Sequence, residues 1–219
     1  MGTGGDERSG AGEGGDRPDV PVRQLRDPAE LRALAHPVRL AILDLLVQLG
    51  PATATELATE LQTESPANCS WHLRQLARYG FVEEAGTGPG RTRRWRLIDE
   101  ARVFGTGDEP PELARAVHAV QEVMLDRQVR SLAAWRQAKA SEPDEWRTAA
   151  VESESQVWLT ADELAELYAE YGRILERHVR PRMVRNDPQQ RPPGARMVRL
   201  VAWMFPTSPS HDHQELSRP

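Results

Sequence analysis

The sequence has very little cysteine and no long apolar run. Its single cysteine, Cys69, cannot form an internal disulfide, which agrees with a reducing compartment. No apolar stretch approaches the roughly 20 residues that are needed to span a bilayer, and the N-terminus lacks the apolar core of a signal peptide. We therefore expect a cytoplasmic protein that has no membrane partner.

The sequence also lacks the motifs that carry common enzymatic chemistry. It contains no phosphate-binding glycine loop after a strand, no nucleophile elbow and no zinc hydrolase helix motif. We expect neither enzymatic activity nor a cofactor. An overall basic charge is absent too, since the net charge is −5, so any attraction to nucleic acid must come from local groups of arginine.

Residues 65–80 have the pattern of a capped helix. Ser65 suits the N-cap, and Pro66 suits the first helical position, where a missing N–H costs nothing. Gly80 suits the position just after the helix. The apolar side chains recur at spacings of four and three and should share a buried face: Cys69, Leu73 and Leu76.

The remaining side chains of this helix have the chemistry of a DNA-reading surface. They can hydrogen-bond to base edges, stack, or pair with phosphate: Asn68, Trp71, Arg74, Gln75 and Arg78. A shorter helix precedes them, because Thr53 and Glu56 form a capping box and residues 62–64 form a polar turn. Two helices joined in this way predict a helix-turn-helix.

A hairpin is predicted directly after the second helix. Residues 81–85 and 92–98 have the composition of strands, and the glycine-rich residues 86–90 form the loop between them. Arginines lie at or beside its tip: Arg91, Arg93, Arg94 and Arg96. A flexible loop flanked by planar cations suits a wing that grips phosphate.

These residues resemble those of the ArsR-type winged-helix transcriptional regulators. Residues 31–43 are similar to the opening helices of that family, and Ser70 to Leu76 with Gly80 to Val82 are similar to its recognition helix. The resemblance covers roughly residues 27–98. It implies a homodimer that binds double-stranded DNA at an operator with two half-sites.

The resemblance also implies roles for individual residues. Ser70 and His72 occupy positions that are expected near the DNA backbone. We assign phosphate contacts to Ser70, Arg91, Arg93 and Arg94, and base contacts to Asn68, Trp71, Arg74 and Gln75. Trp71 departs from the family, which often has a polar or basic side chain there.

Composition divides the rest of the chain into segments. Residues 1–26 should be a disordered tail, since they are rich in glycine and charge, and residues 99–111 should be a linker. Residues 112–142 predict a long helix whose apolar stripe forms the dimer interface; the alternative is a core helix of a second domain. Residues 206–219 should be a loose tail.

Residues 143–205 predict a small α/β module. Strands are expected at 151–159 and 196–205, and a helix with an inward apolar face is expected from Thr160 to Val179. Aromatic side chains of this module and of the long helix could line a pocket for a small-molecule effector, or simply fill a small core and a dimer seam: Trp135, Trp158, Tyr168, Tyr171 and Trp203.

A metal site is not expected. Cys69 points inward, and one thiol cannot form a cysteine-rich site. His118, Glu122 and Asp126 lie one turn apart on the long helix, a spacing that is common on helix surfaces, and residues 211–213 fall in the tail. Oxidation of Cys69 is an alternative way of sensing, provided that the thiol is accessible.

The sequence as a whole predicts an α+β protein. A winged helix-turn-helix domain is followed by a long helix and a small α/β module, and the chain acts as a dimeric regulator of transcription. The rival interpretation is a winged helix that contacts other proteins and has no specific DNA site, which the acidic net charge would permit.

Overall fold

The computed structural model describes residues 21–87, 92–105 and 107–207. The N-terminal part consists of short strands and four helices, in this order: β1 (Val22–Gln24), α1 (Pro28–Leu34), α2 (Pro37–Leu49), β2 (Ala52–Thr53), α3 (Ala54–Leu61), α4 (Pro66–Arg78), β3 (Val82–Thr87), β4 (Arg93–Leu97) and β5 (Ala101–Val103). The C-terminal part is helical: α5 (Pro111–Ala138), α6 (Asp144–Ala149) and α7 (Ala161–His178), with 3₁₀ turns at Lys139–Ser141, Arg180–Asn186 and Pro188–Gln190.

One hydrophobic core lies between the N-terminal helices, the hairpin and the start of α5. Its fully buried side chains include Leu31, Ile42, Leu57, Leu73, Leu76, Phe81 and Val120. Each such side chain contributes about 1.5–3 kcal/mol when it leaves water. This core therefore fixes the orientation of α4, whose inner face is part of it.

The hairpin predicted after the second helix is confirmed. β3 and β4 pair antiparallel, with Val82 opposite Leu97 and Glu84 opposite Trp95. β2 adds a third strand on the other side of β4, which gives the order β2-β4-β3. Trp95 is buried at the centre of this sheet and anchors it to the core. The loop residues 88–91, including Arg91, lie outside the described residues.

A second, two-stranded sheet corrects two predicted segments. β1 pairs parallel with β5, with Val22 opposite Ala101, and Leu25 is buried beside them. The segment 22–26 is thus ordered and is not part of a tail, and residues 101–103 form a strand inside the predicted linker. Pairing of segments almost 80 residues apart leaves no local sequence signal, because neither strand has a turn or partner close by in the chain.

The predicted long helix is confirmed as α5, which is 28 residues long. In its first half Ala116, Val117 and Val120 are buried, and the helix packs against α1. Its middle is fixed by Arg127, which pairs with Asp44 at 2.9 Å and donates to the carbonyl of Leu40. The apolar side chains of its second half remain exposed. No helix in the described ranges is both long and apolar enough to cross a membrane.

The prediction of an α/β module is wrong for its two strands. Residues 107–207 contain no strand, and the segments 151–159 and 196–205 have no regular structure. The helix expected after Thr160 is present as α7, and its capping box with Glu163 is formed, but no side chain of α7 is buried. An apolar segment becomes a strand only beside a pairing partner, and the described part of this chain supplies none there.

Candidate nucleic-acid interface

The helix-turn-helix is built by caps that the sequence predicts. Thr53 Oγ1 accepts from the N–H of Glu56 at 3.2 Å, while the Glu56 carboxylate accepts from the N–H of Thr53 at 2.7 Å. Ser65 Oγ accepts from the N–H of Asn68 at 3.1 Å and begins α4. Between the two helices Gln62 takes a left-handed conformation with φ 58°, which reverses the chain in a short turn.

The inner face of α4 is confirmed, with one addition. Cys69, Leu73 and Leu76 are completely buried. His72, which the family resemblance placed near the DNA backbone, is only 3% exposed and lies on the same inner side. That assignment is therefore wrong for this conformation, because a side chain enclosed in the core cannot reach phosphate.

His72 packs against a second histidine at the junction of α1 and α2. The ring centroids of His72 and His36 are 4.8 Å apart, and His36 Nδ1 accepts from the N–H of Val38. Nδ1 of His72 is buried and has no hydrogen-bond partner. Burial lowers the pKa of both histidines, and the nearby Arg39 lowers each pKa further, while Glu64 opposes the shift. The two rings are thus held neutral, and they join α4 to the opening helices.

This pair makes stability depend on pH. Because the folded protein holds both pKa values below their ordinary 6.5, the unfolded chain binds more protons as the solution becomes acidic. We expect the free energy of unfolding to be constant near pH 7 and to fall as the pH drops below about 6.5. The variant His36→Asn, His72→Gln keeps a residue that can cap α2 and should flatten this slope, measured by urea unfolding between pH 5 and 7. Equal slopes in both proteins would contradict this origin.

The outer face of α4 carries polar and basic side chains and no acid. Asn68, Trp71, Arg74 and Arg78 are exposed, and Gln75 is half-buried. Arg74 donates from Nη1 to Ser70 Oγ at 2.8 Å, so its guanidinium lies along the first turns of the helix. The structure thus brings five of the predicted contact residues together on one surface, with Ser70 at its edge.

Four of these side chains already have partners within the protein. Asn68 Nδ2 donates to the carboxylate of Glu64, and Arg78 lies over the ring of Tyr79 at 5.7 Å. Trp71 meets His72 edge-on at 4.9 Å and is 47% exposed, so its outer half is free to stack or to contact an apolar group. The guanidinium of Arg74 is held by the neutral hydroxyl of Ser70 and not by an acid, so its positive charge is not cancelled.

The described arginines of the hairpin form ion pairs with glutamates, which the sequence analysis did not predict. Arg93 pairs with Glu84 at 3.1 Å, and Arg96 pairs with Glu83 at 2.6 Å across the two strands. The second pair could have been predicted, because an antiparallel register that places Trp95 opposite Glu84 also places Arg96 opposite Glu83. These exposed pairs are weak, so phosphate can replace the carboxylates.

Arg94 lies apart from the outer face of α4. It pairs with Glu56 of α3 at 3.2 Å and donates to the carbonyl of Pro51, and it is the least exposed of the described hairpin arginines. The same carboxylate of Glu56 caps α3, and that hydrogen bond is the main reason that its pKa is lowered. Arg94 therefore links the sheet to α3, and Arg93 is better placed to contact a ligand.

Sequence reasoning missed the roles of two arginines: Arg23 holds the end of α4, and Arg102 holds the two ends of the hairpin. Arg23 donates to the carbonyls of Tyr79 at 2.9 Å and Gly80 at 3.2 Å, and it pairs with Glu30 and Glu100. Arg102 pairs with Glu100 at 3.0 Å and donates to the carbonyl of Ile98. Basic groups at a helix C-terminus satisfy carbonyls that have no partner within the helix.

The predicted effector pocket is not enclosed. Trp158 is 95% exposed, and Tyr168 and Trp203 are also more than half exposed, so these rings do not face a buried cavity in the single chain. Trp135 and Tyr171 are half-buried. The aromatics expected to fill a core therefore lie at the surface of the described structure.

The described residues contain no group of three metal-binding side chains. His118 and Glu122 approach at 3.6 Å on the surface of α5, while Asp126 pairs with Arg130. Cys69 is buried and unpaired, and burial raises the pKa of its thiol, which opposes formation of the reactive thiolate. Residues 211–213 lie outside the described residues.

Comparison with known proteins agrees with the geometry of the two helices. Residues 34–85, which run from the end of α1 into β3, match a family model described as a helix-turn-helix domain. No curated protein matches this chain. Domains of this kind place a helix in the major groove of DNA, and α4 is the second helix of the motif. The chain thus contains a helix-turn-helix domain, and DNA-binding regulation is the function that this domain suggests.

Proposed function

We propose that the protein is a sequence-specific transcriptional regulator of the ArsR-like winged-helix type. In this proposal α4 enters the major groove, the β3–β4 hairpin is the wing, and two copies bind an operator with two half-sites. The observation that carries the proposal is the division of α4 into a buried inner face and an outer face that is basic, polar and free of acids.

The distribution of charge supports this proposal. The chain has a net charge of −5, yet α4 contains two arginines and no acidic residue. DNA would therefore be attracted to this surface and repelled by much of the rest, which favours one orientation of approach. The N-terminus of α4, begun by Ser65 and Pro66, adds the positive end of the helix dipole.

The outer side chains suit different tasks in the groove. Arg74 can donate two parallel hydrogen bonds to guanine, and Asn68 or Gln75 can form two hydrogen bonds to N6 and N7 on the major-groove edge of adenine. Trp71 has no acceptor and one donor, so its exposed ring suits the methyl group of thymine better than a polar base edge. Ser70 and Arg93 would contact phosphate, after Arg93 exchanges Glu84 for a phosphate oxygen.

A salt titration tests the proposal directly. Purified protein is titrated onto DNA from its own upstream region and onto a scrambled duplex of equal length, at several salt concentrations. We expect a preference of about 10³-fold or more for the upstream DNA, since specific binders exceed their non-specific affinity by at least that factor. If the affinities for the upstream DNA and for the scrambled duplex are equal and fall together as the salt concentration rises, sequence-specific recognition is contradicted.

A second candidate is a protein-interaction module. The observation that favours it is the pairing of Arg93, Arg94 and Arg96 with acids, which removes most of the positive field that a wing would present. This candidate predicts no protected region when the upstream DNA is footprinted with saturating protein. A protected region with two symmetric halves supports the regulator.

A further inference from the structure

We propose that Arg23 is a positioning residue, which fixes the angle between α4 and the hairpin and so determines how selectively the protein reads DNA. Arg23 lies in β1, outside residues 34–85, which match the helix-turn-helix family model. The proposal rests on the proposed function, because this angle affects recognition only if α4 and the hairpin both contact DNA.

The turn between α4 and β3, residues 79–81, decides this angle. The N–H of Phe81 donates to the carbonyl of Leu76 at 3.0 Å, and the N–H of Gly80 donates to the carbonyl of Ala77 at 3.0 Å. The two bonds form a Schellman motif, in which Gly80 takes a left-handed φ of 71°. The motif closes the last turn of α4, but it supplies no donor to the carbonyls of the turn itself.

Arg23 supplies the donors for two of these carbonyls. Its Nη2 donates to the carbonyl of Tyr79 at 2.9 Å, and its Nη1 donates to the carbonyl of Gly80 at 3.2 Å. One planar guanidinium thus holds two successive carbonyls, which a lysine could not reproduce, because its N–H groups diverge from a single nitrogen. The approach is close, since a Cβ on Gly80 would lie 3.0 Å from Nη1 of Arg23.

The same guanidinium is anchored to two other parts of the chain. Nη1 pairs with Glu100, which follows β4, at 3.4 Å, and Nη2 pairs with Glu30 of α1. The side chain of Glu100 is only 10% exposed, and Arg102 of β5 also pairs with it, at 3.0 Å. Charged hydrogen bonds that are shielded from water hold their geometry better than exposed ion pairs do. Arg23 therefore joins α1 and the end of the hairpin to the turn after α4.

The ring of Phe81 gives the turn a second attachment. Arg23 and Arg102 lie over this buried ring at 5.5 and 5.1 Å, and Nη2 of Arg102 donates to the carbonyl of Phe81 at 3.4 Å. The two arginines thus hold both the backbone and a side chain of the turn. The turn can rotate only if several of these contacts break together.

A fixed angle matters when two elements of one domain bind DNA at once. In the proposed complex α4 places side chains at base edges while the hairpin contacts phosphate, and hydrogen bonds to bases weaken steeply when their angles change. Attraction between arginine and phosphate depends mainly on charge and carries no sequence information. Loss of Arg23 should therefore reduce discrimination between sequences and leave the attraction to any DNA almost unchanged.

The structure argues against a phosphate contact by Arg23 itself. Both of its Nη atoms are engaged by carbonyls and carboxylates, and 27% of its side chain is exposed. Movement of the guanidinium to a phosphate would leave the partly buried Glu30 without the cation that it pairs with, which is costly. Removal of Arg23 should therefore leave the salt dependence of binding unchanged, unlike removal of a phosphate-binding arginine.

Binding of Arg23→Ala to the upstream DNA and to the scrambled duplex tests the proposal. We expect the ratio of the two affinities to fall by about 10-fold or more, since one good base contact contributes a factor of about 5 to 150. The affinity for the scrambled duplex and its salt slope should equal those of the unchanged protein. A salt slope reduced by about one would show that Arg23 binds phosphate and would overturn the proposal. An unchanged ratio would overturn it as well.

A variant that is destabilised elsewhere separates positioning from a general loss of stability. Val120→Ala shortens a completely buried side chain of α5 and leaves the hydrogen-bond partners of Arg23 in place. It should keep the operator preference at a temperature where circular dichroism shows both variants to be folded. Equal losses of preference in the two variants would overturn the proposal. If Arg23→Ala does not fold, Arg23→Lys, which keeps the cation but loses the planar fork, takes its place, and full retention of the preference then overturns the proposal.

Amide hydrogen exchange without DNA separates this proposal from the proposed function. In Arg23→Ala the N–H groups of Gly80 and Phe81 should exchange about 10-fold faster or more, relative to those of α3, because hydrogen bonds from a charged group no longer hold the turn. No operator preference in the unchanged protein would remove the DNA-reading role, whatever the exchange rates are. An operator preference and slow exchange that both persist in Arg23→Ala would leave the regulator intact and remove the role of Arg23.

Discussion

Replacing Phe81 with alanine is expected to lower the free energy of unfolding by about 3–5 kcal/mol. Phe81 is completely buried between α4 and the hairpin, and its N–H donates to the carbonyl of Leu76. Arg23 and Arg102 lie over its ring at 5.5 and 5.1 Å. The substitution therefore leaves a cavity and removes the surface on which both cations rest. For a protein whose total stability is typically 5–15 kcal/mol, this is a large share.

Urea unfolding followed by circular dichroism measures this loss. Trp71→Ala is the matched control, since it removes a larger aromatic ring from α4 at a half-exposed position. We expect the control to change stability by less than about 1 kcal/mol, which is usual for surface positions. A small loss for Phe81→Ala, or an equal loss for both variants, would show that the junction between α4 and the hairpin is not part of the cooperative core.

The helix-turn-helix could be predicted from the sequence because its signals are local. The cap of Ser65, the capping box of Thr53 and Glu56, and the spacing of Cys69, Leu73 and Leu76 each involve residues within one or two turns. Local signals specify helices well, since most helical hydrogen bonds join residues four apart. The antiparallel hairpin is similarly local, so the outer face of α4 and the hairpin after it were predictable together.

Features that depend on distant pairing could not be predicted. β1 joins β5 across the chain, and the same contact places Arg23 at the end of α4. The burial of His72 depends on its meeting His36, which belongs to a different helix. Periodicity alone places His72 between the inner and outer faces, and only the packing of the two helices decides which side encloses it.

In the C-terminal region, composition alone does not predict which apolar side chains are buried. Residues 196–205 are apolar on both faces, which favours a covered strand, yet Met197, Leu200 and Trp203 are half or more exposed. Composition indicates that such a segment needs a cover, but it does not say which molecule supplies it.

Replacing Arg74 with alanine is expected to reduce discrimination between the operator and a scrambled duplex by about 5- to 150-fold, which corresponds to roughly 1–3 kcal/mol for one base contact. Arg74 projects from the outer face of α4, and its hydrogen bond to Ser70 orders the guanidinium before DNA arrives. A side chain that is held in place loses less entropy when it binds. Because Arg74 is exposed and forms no ion pair in the described structure, its removal should leave the free energy of unfolding almost unchanged.

Arg93→Ala is the matched comparison, because it removes the same guanidinium from the hairpin. Arg93 is proposed to contact phosphate, so its loss should weaken binding to every sequence alike and reduce the slope of log affinity against log salt by about one. Competition binding at several salt concentrations separates the two results. If both variants lose affinity uniformly, Arg74 reads no base, and α4 would then be held against the DNA backbone. If Arg93→Ala leaves the salt slope unchanged, the carboxylate of Glu84 is not displaced by phosphate, and cations other than Arg93 carry the electrostatic attraction.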